Sequence, residues 1–114
     1  MDDAFWFETG ARTRKGRNVA GDPRCSMAVS LLEFDLVVEG AAEMITEPAV
    51  VATMAGHWAD QGWPAQPDET GTALTAPYSA QSAGPPPWQV YRIQPTSAYA
   101  LQTVEPFGAT RWRF

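Results

Sequence analysis

A mainly β fold, an antiparallel barrel carrying two short helices, is what this sequence predicts on three observations. The runs rich in aromatic and β-branched residues are short and bounded by Gly, Pro and Asp. Only two segments have the character of helices. A chain of 114 residues, 45% hydrophobic and 18% charged, has room for one globular domain over 1–114 with a modest core.

The first strand is Ala4-Phe5-Trp6-Phe7-Glu8-Thr9, stopped by Gly10. Three consecutive aromatics predict that both of its faces are covered. Such strands seldom lie at a free terminus, and only three residues precede this one, so the sequence is expected to begin inside the barrel. Residues 11–21 read as a short basic helix that ends at Gly21-Asp22-Pro23. Residues 25–32 and 36–45 form a hairpin about a tight turn at Glu33-Phe34-Asp35, with Gly40 permitting a bulge or bend.

Thr46-Glu47-Pro48 starts the second helix, with a capping hydroxyl and Pro in the first turn. Val50, Val51, Met54 and Trp58 repeat at helical spacing up to about Gly62. Residues 63–72 are turn-rich, 73–78 form a short strand, and Gly84-Pro85-Pro86-Pro87 is a stiff connection. Strands follow at 88–93 and 97–102, and Thr110-Arg111-Trp112-Arg113-Phe114 alternates as the last.

Charge and composition narrow the function. Eight basic against 13 acidic residues give a net charge of −5, which argues against general binding of nucleic acid. One Cys and one His cannot build a disulfide framework or a Cys/His zinc site. No apolar run approaches the roughly 20 residues that span a bilayer. Asp2 and Asp3 stand where a signal peptide would carry positive charge, so the expected location is the cytoplasm. Motifs of serine hydrolases, dinucleotide folds and P-loops do not occur.

The basic residues are not spread evenly. Arg12, Arg14, Lys15 and Arg17 lie within six positions that contain no acid. Thr9 and Thr13 add hydroxyls, and the helix start adds backbone N–H groups, which together suit a phosphate. A solvated basic helix, or one pairing with acids elsewhere, is the alternative. Trp88 and Trp112 could wall a flat ligand or fill the core. Arg111 and Arg113 share the face opposite Trp112, where either could meet an anion or a nearby carboxylate. Cys25 reads as a small buried hydrophobe, and His57 as a packing or surface residue. Glu33, Asp35, Glu39 and Glu43 are spread along the hairpin, as solvated acids rather than a cation site.

The order of these segments resembles the pyridoxamine 5′-phosphate oxidase-like superfamily. The resemblance is carried by the strand ending in Glu8-Thr9, then Arg14-Lys15, Arg17-Asn18 and Asp22-Pro23-Arg24. It continues through Leu36-Val37-Val38-Glu39-Gly40, Trp88-Gln89-Val90-Tyr91-Arg92-Ile93-Gln94-Pro95 and the closing Ala109-Thr110-Arg111-Trp112-Arg113-Phe114. It implies a split β-barrel homodimer that binds FMN or the deazaflavin coenzyme F-420 at the subunit interface and acts on a small molecule.

By position, the resemblance assigns the phosphate to Arg14 and Lys15, with Thr13 as neighbouring hydroxyl. Glu8 and Thr9 match the strand end that contacts the flavin. Asp35 falls where a residue reaches the cofactor from the second subunit, often a Gln in other members. Arg111 falls near an Arg that contacts the ring. Leu101 replaces an aromatic residue of the oxidase branch, which points toward a reductase-like or uncharacterised subgroup. The helix and first hairpin that precede the Ala4 strand in the family have no counterpart, so an incomplete barrel is expected. The alternatives are a module that holds a flavin without turnover, or a shortened member that no longer binds the cofactor.

Overall fold

The computed structural model describes residues 4–80 and 83–114. Its centre is one long strand. In chain order the elements are β1 (Phe5–Thr9), α1 (Arg14–Gly21), β2 (Arg24–Ser30), β3 (Phe34–Ile45) and α2 (Pro48–Asp60). These are followed by β4 (Gln66–Pro67), β5 (Leu74–Thr75), β6 (Gln89–Gln102) and β7 (Ala109–Arg113). The main sheet is antiparallel in the order β1-β6-β3-β2, with β7 also paired to β6. β1 takes the first half of one edge of β6, from Thr9 opposite Gln89 to Phe5 opposite Ile93. β7 takes the second half, and β3 runs along the other edge from Ile45–Val90 to Phe34–Gln102. The result is a curled half-barrel.

The strands expected at 88–93 and 97–102 are therefore one. Pro95 lacks an N–H and would break a regular ladder, but it sits where the register already shifts. Glu39 pairs with Ser97 and Gly40 with Pro95, which leaves Thr96 as the extra residue of a bulge. The Thr96 hydroxyl donates to the Glu39 carbonyl at 3.2 Å, and the Thr96 carbonyl accepts from the Phe114 N–H at 2.9 Å. Gly40 permits this approach: a Cβ there would overlap the Gln94 carbonyl and lie 2.9 Å from Ile93 Cγ2. The anticipated bend at Gly40 thus joins two strands instead of ending one.

Other boundaries move for local reasons. The hairpin turn lies at 31–33, closed by the Leu31 N–H donating to the Phe34 carbonyl at 2.8 Å, so Phe34 and Asp35 already belong to β3. At α2 the cap position is Glu47, without a side-chain cap bond, and Pro48 enters as the first helical residue. Thr46 therefore does not cap. The strand expected at 73–78 shortens to β5, paired with β4 from within the turn-rich segment. Trp88 meets Leu74 in an isolated bridge and precedes β6.

Alternation along β6 builds two cores. Val90 faces α2 and packs with Ile45, Val51, Met54, Leu74 and Trp88. Tyr91 and Ile93 face the α1 side with Ala42, joined by Phe5, Phe7, Val19 and Met27. The aromatics of β1 divide accordingly, Trp6 toward the first core and Phe5 and Phe7 toward the second, so both faces of the strand are covered. Trp88 is 0% exposed, and its indole N–H donates to the Gly84 carbonyl at 2.9 Å, which makes it a core residue rather than a ligand wall. Cys25 packs beside the second core, and burial raises its thiol pKa. His57 is exposed on α2.

Two glycines test this packing with opposite signs. Gly40→Ala is expected to cost about 1–3 kcal/mol through the forced overlap with β6. Gly56→Ala, on an open face of α2 with nothing within 4 Å of the new Cβ, should stabilise by roughly 0.5–1 kcal/mol. Urea denaturation midpoints, compared at equal m-value, check both.

Candidate functional site at the start of the first helix

The β1–α1 turn is held by one hydroxyl. Thr13 is the N-cap of α1, and its Oγ1 accepts from the Gly16 N–H at 3.0 Å. The same hydroxyl donates its single proton to the Gly10 carbonyl at 2.9 Å. The remaining lone pair faces the Thr9 hydroxyl at 2.6 Å, so Thr9 must be the donor of that bond. Thr9 is 0% exposed. Both hydroxyls are thus spent on the shape of the turn. The Gly10 N–H donates to the Ala83 carbonyl at 3.0 Å, tying the turn to the segment before β6. Gly16 lies so close to the Gly10 carbonyl that a Cβ would overlap it.

On this frame the basic residues stand outward. Arg12, Arg14, Lys15 and Arg17 are exposed, and none forms an ion pair among the described residues. Among the described residues the pairing alternative finds no ion pair for this run, although Glu8 lies near enough to Lys15 to feel its charge. Arg24 is different: it contacts Asp22 at 2.8 Å, a bond that holds the Asp22 carboxyl down at about 2. Lys15 Nζ lies 5.7 Å from the centre of the Phe7 ring, which stacks on Tyr91 at 5.0 Å. That contact leans the ammonium toward β1. Glu8 is half-buried near it; burial raises its pKa, and the Lys15 charge opposes the rise. Exposed Arg14 and Lys15, which form no ion pair among the described residues, fit a phosphate group in charge and position at the first turn of a helix.

Asp35 and Arg111 lie elsewhere. Along β6, eleven residues separate Val90, opposite Glu8, from Leu101, opposite Asp35. At about 3.3 Å per residue that is on the order of 35 Å. Arg111 belongs to the same remote end, 5.8 Å from the Tyr99 ring centre. The Tyr99 hydroxyl donates to Glu39 at 3.1 Å, and this bond and the Glu39 charge raise its pKa. Glu8, Thr9, Thr13, Arg14 and Lys15 come together in one place; Asp35 and Arg111 do not join them within one chain. Glu43 pairs with Arg92 at 2.8 Å, and no metal-binding group of acids, His or Cys occurs among the described residues.

Two cavities were not foreseen from the sequence. One of about 650 Å³ opens on the α1 side of the sheet, lined by Phe5, Leu36, Val38, Ala98, Trp112 and Phe114. Trp112 is 44% and Phe114 75% exposed there, so the alternation of β7 sends its aromatics and its arginines to opposite faces. The other, about 440 Å³, lies between the β1–α1 turn and Pro85–Pro87. The stiffness of the proline run was legible; that it faces the basic turn was not.

Two substitutions probe the turn. Thr9→Val keeps the shape but removes the donor to Thr13, and should cost about 1 kcal/mol in a urea melt. Glu8 has a folded pKa above its unfolded value, so its contribution favours folding below about pH 4.5 and is lost as pH rises through the higher folded pKa. Glu8→Gln should therefore gain Tm relative to the parent as pH is raised from 4 to 7, measured by circular dichroism.

Comparison with known proteins agrees with this architecture. General Stress Protein 26 from Bacillus anthracis superposes with a TM-score of 0.61 at 12% identity, covering 100% of this chain and 72% of that one. A pyridoxamine 5′-phosphate oxidase-related, FMN-binding protein from Nostoc punctiforme superposes with a TM-score of 0.55 at 13% identity, covering 98% and 72%. At such identities the likeness establishes the fold, a split β-barrel. No curated protein matches the sequence. The sequence profile of pyridoxamine 5′-phosphate oxidase matches residues 1–102, and with that match over most of its length the chain belongs to this family.

Proposed function

We propose that the chain is a flavin- or deazaflavin-binding oxidoreductase of the cytoplasm, with the phosphate of FMN or F-420 held by Arg14 and Lys15. The observation that carries this reading is a run of four exposed cations that form no ion pair among the described residues, on a turn whose own hydroxyls are already satisfied. Free cations on a rigid frame bind an oxyanion with little ordering cost. The FMN-binding character of the Nostoc punctiforme protein and the family match support the same ligand class.

When bound, such a cofactor supplies hydride or electron transfer at its ring, while the protein supplies binding and electrostatics. Arg14 and Lys15 neutralise the phosphate. Phe7 holds the Lys15 ammonium toward β1, next to the half-buried Glu8. In this reading the protein is a homodimer, and Asp35 and Arg111 serve the site of the other copy. Asp35 lies roughly 35 Å along the sheet from Glu8, and Arg111, opposite Tyr99, roughly 30 Å, which supports that arrangement. Arg111 would then favour the added negative charge of a reduced ring and present it to a small-molecule substrate.

A second reading is a module that holds a flavin or similar molecule without turnover. It is favoured by the cavity of about 650 Å³, whose lining residues carry no ionisable side chain. Addition of reductant and candidate acceptors to the loaded protein separates the two, since only the first reading oxidises or reduces the acceptor.

The test is a fluorescence titration of the 114-residue protein with FMN and, separately, F-420. Micromolar binding corresponds to about 8 kcal/mol. One charge-assisted bond contributes about 1.5–3 kcal/mol, so Lys15→Ala is expected to weaken affinity at least tenfold. Its elution in size-exclusion chromatography should match the parent. An unchanged titration curve would remove Lys15 from the site.

A further inference from the structure

The cleft of about 440 Å³ between the β1–α1 turn and the proline run has the size of a small-molecule site and a lining of complementary halves. One wall is Pro85-Pro86-Pro87, apolar rings whose backbone φ is locked and which offer no N–H. Such a wall needs no ordering when a flat molecule lies on it. The other wall carries Arg12, exposed and without an ion pair among the described residues. Its guanidinium is a planar fork suited to a carboxylate or phosphate. Gln89 completes the lining with an amide that can both donate and accept. The two walls are joined by the Gly10 N–H to Ala83 carbonyl bond of 3.0 Å, so the opening between them is set by backbone.

We propose that this cleft binds a small planar molecule bearing a carboxylate or phosphate, with its ring on Pro85–Pro87 and its anion on Arg12. The site is distinct from the phosphate anchors Arg14 and Lys15 and does not depend on cofactor binding there. Thr13 lines the cleft, but its hydroxyl is saturated within the turn, so the anion's recognition rests on Arg12. In a chain of net charge −5, this cationic turn is also where an anion is steered.

The test uses the intact protein, labelled with nitrogen-15, and four probes followed by amide chemical shifts. Benzoate and phenyl phosphate carry both ring and anion; acetate carries the charge alone, and benzylamine the ring with the opposite charge. Saturable shifts at Gly10, Ala83 and Gln89 are expected with benzoate or phenyl phosphate, and the tighter of the two assigns the anion. Acetate and benzylamine should bind at least tenfold more weakly. Arg12→Gln, an exposed substitution, should weaken benzoate or phenyl phosphate at least tenfold, while Lys15→Ala changes it less than twofold. The proposal is overturned if neither ring-bearing anion shifts these amides, if Arg12→Gln binds like the parent, or if acetate matches benzoate. Displacement of benzoate by FMN would likewise sink it, because the cleft would then be part of the cofactor's own site.

Discussion

An unbroken β6 is the constraint on which the rest of the structure depends. Three strands hydrogen-bond directly to it, and β2 is attached through β3. Its alternating side chains divide the interior between the α1 and α2 sides. The strand survives its own proline only because the bulge at Thr96 coincides with Pro95 and Gly40 lets the two backbones close on each other. A side chain at position 40 would press β3 off β6 where β1 gives way to β7. The two halves of the sheet would then lose their common register.

The basic turn inherits its rigidity from that sheet. Thr9 is the last residue of β1 and is paired with Gln89 at the start of β6, so the hydroxyl that supports Thr13 is placed by strand register. From there the bonding passes through Thr13 to Gly10 and Gly16, and through Gly10 to Ala83. Polar capacity inside the turn is consumed, while the charges outside it are not. The separation matters chemically, because among the described residues these cations have no ion-paired carboxylate to give up before they meet a ligand. Arg24, bound to Asp22, shows the contrast within the same stretch of chain.

Polarity is also divided across the remote half of the sheet. On one face Phe5, Leu36, Val38, Trp112 and Phe114 line an apolar cavity. On the other, Glu39, Tyr99 and Arg111 form a polar row. The divide follows from alternation in β3, in β7 and in β6 beyond its bulge, and it gives the molecule two chemically different surfaces far from its cationic turn.

Much of this was written in local sequence. The strand at Phe5–Thr9, the stop at Gly21-Asp22-Pro23, the hairpin, the amphipathic α2 and the opposition of Trp112 to Arg111 all follow from short-range rules of spacing, turn chemistry and alternation. The concentration of Arg12, Arg14, Lys15 and Arg17 was equally plain, and the order of motifs pointed to the family. Tertiary structure decided what depends on partners distant in the chain. It made β6 one strand, because only the facing Gly40 shows why Pro95 does not end it. It turned Thr9 and Thr13 inward as supports, since a hydroxyl's availability depends on which groups fold against it. It placed Asp35 and Arg111 far from Lys15, and it set Pro85–Pro87 against Arg12 across some seventy residues of sequence. Local rules fix what a residue can do, while long-range register fixes what it meets.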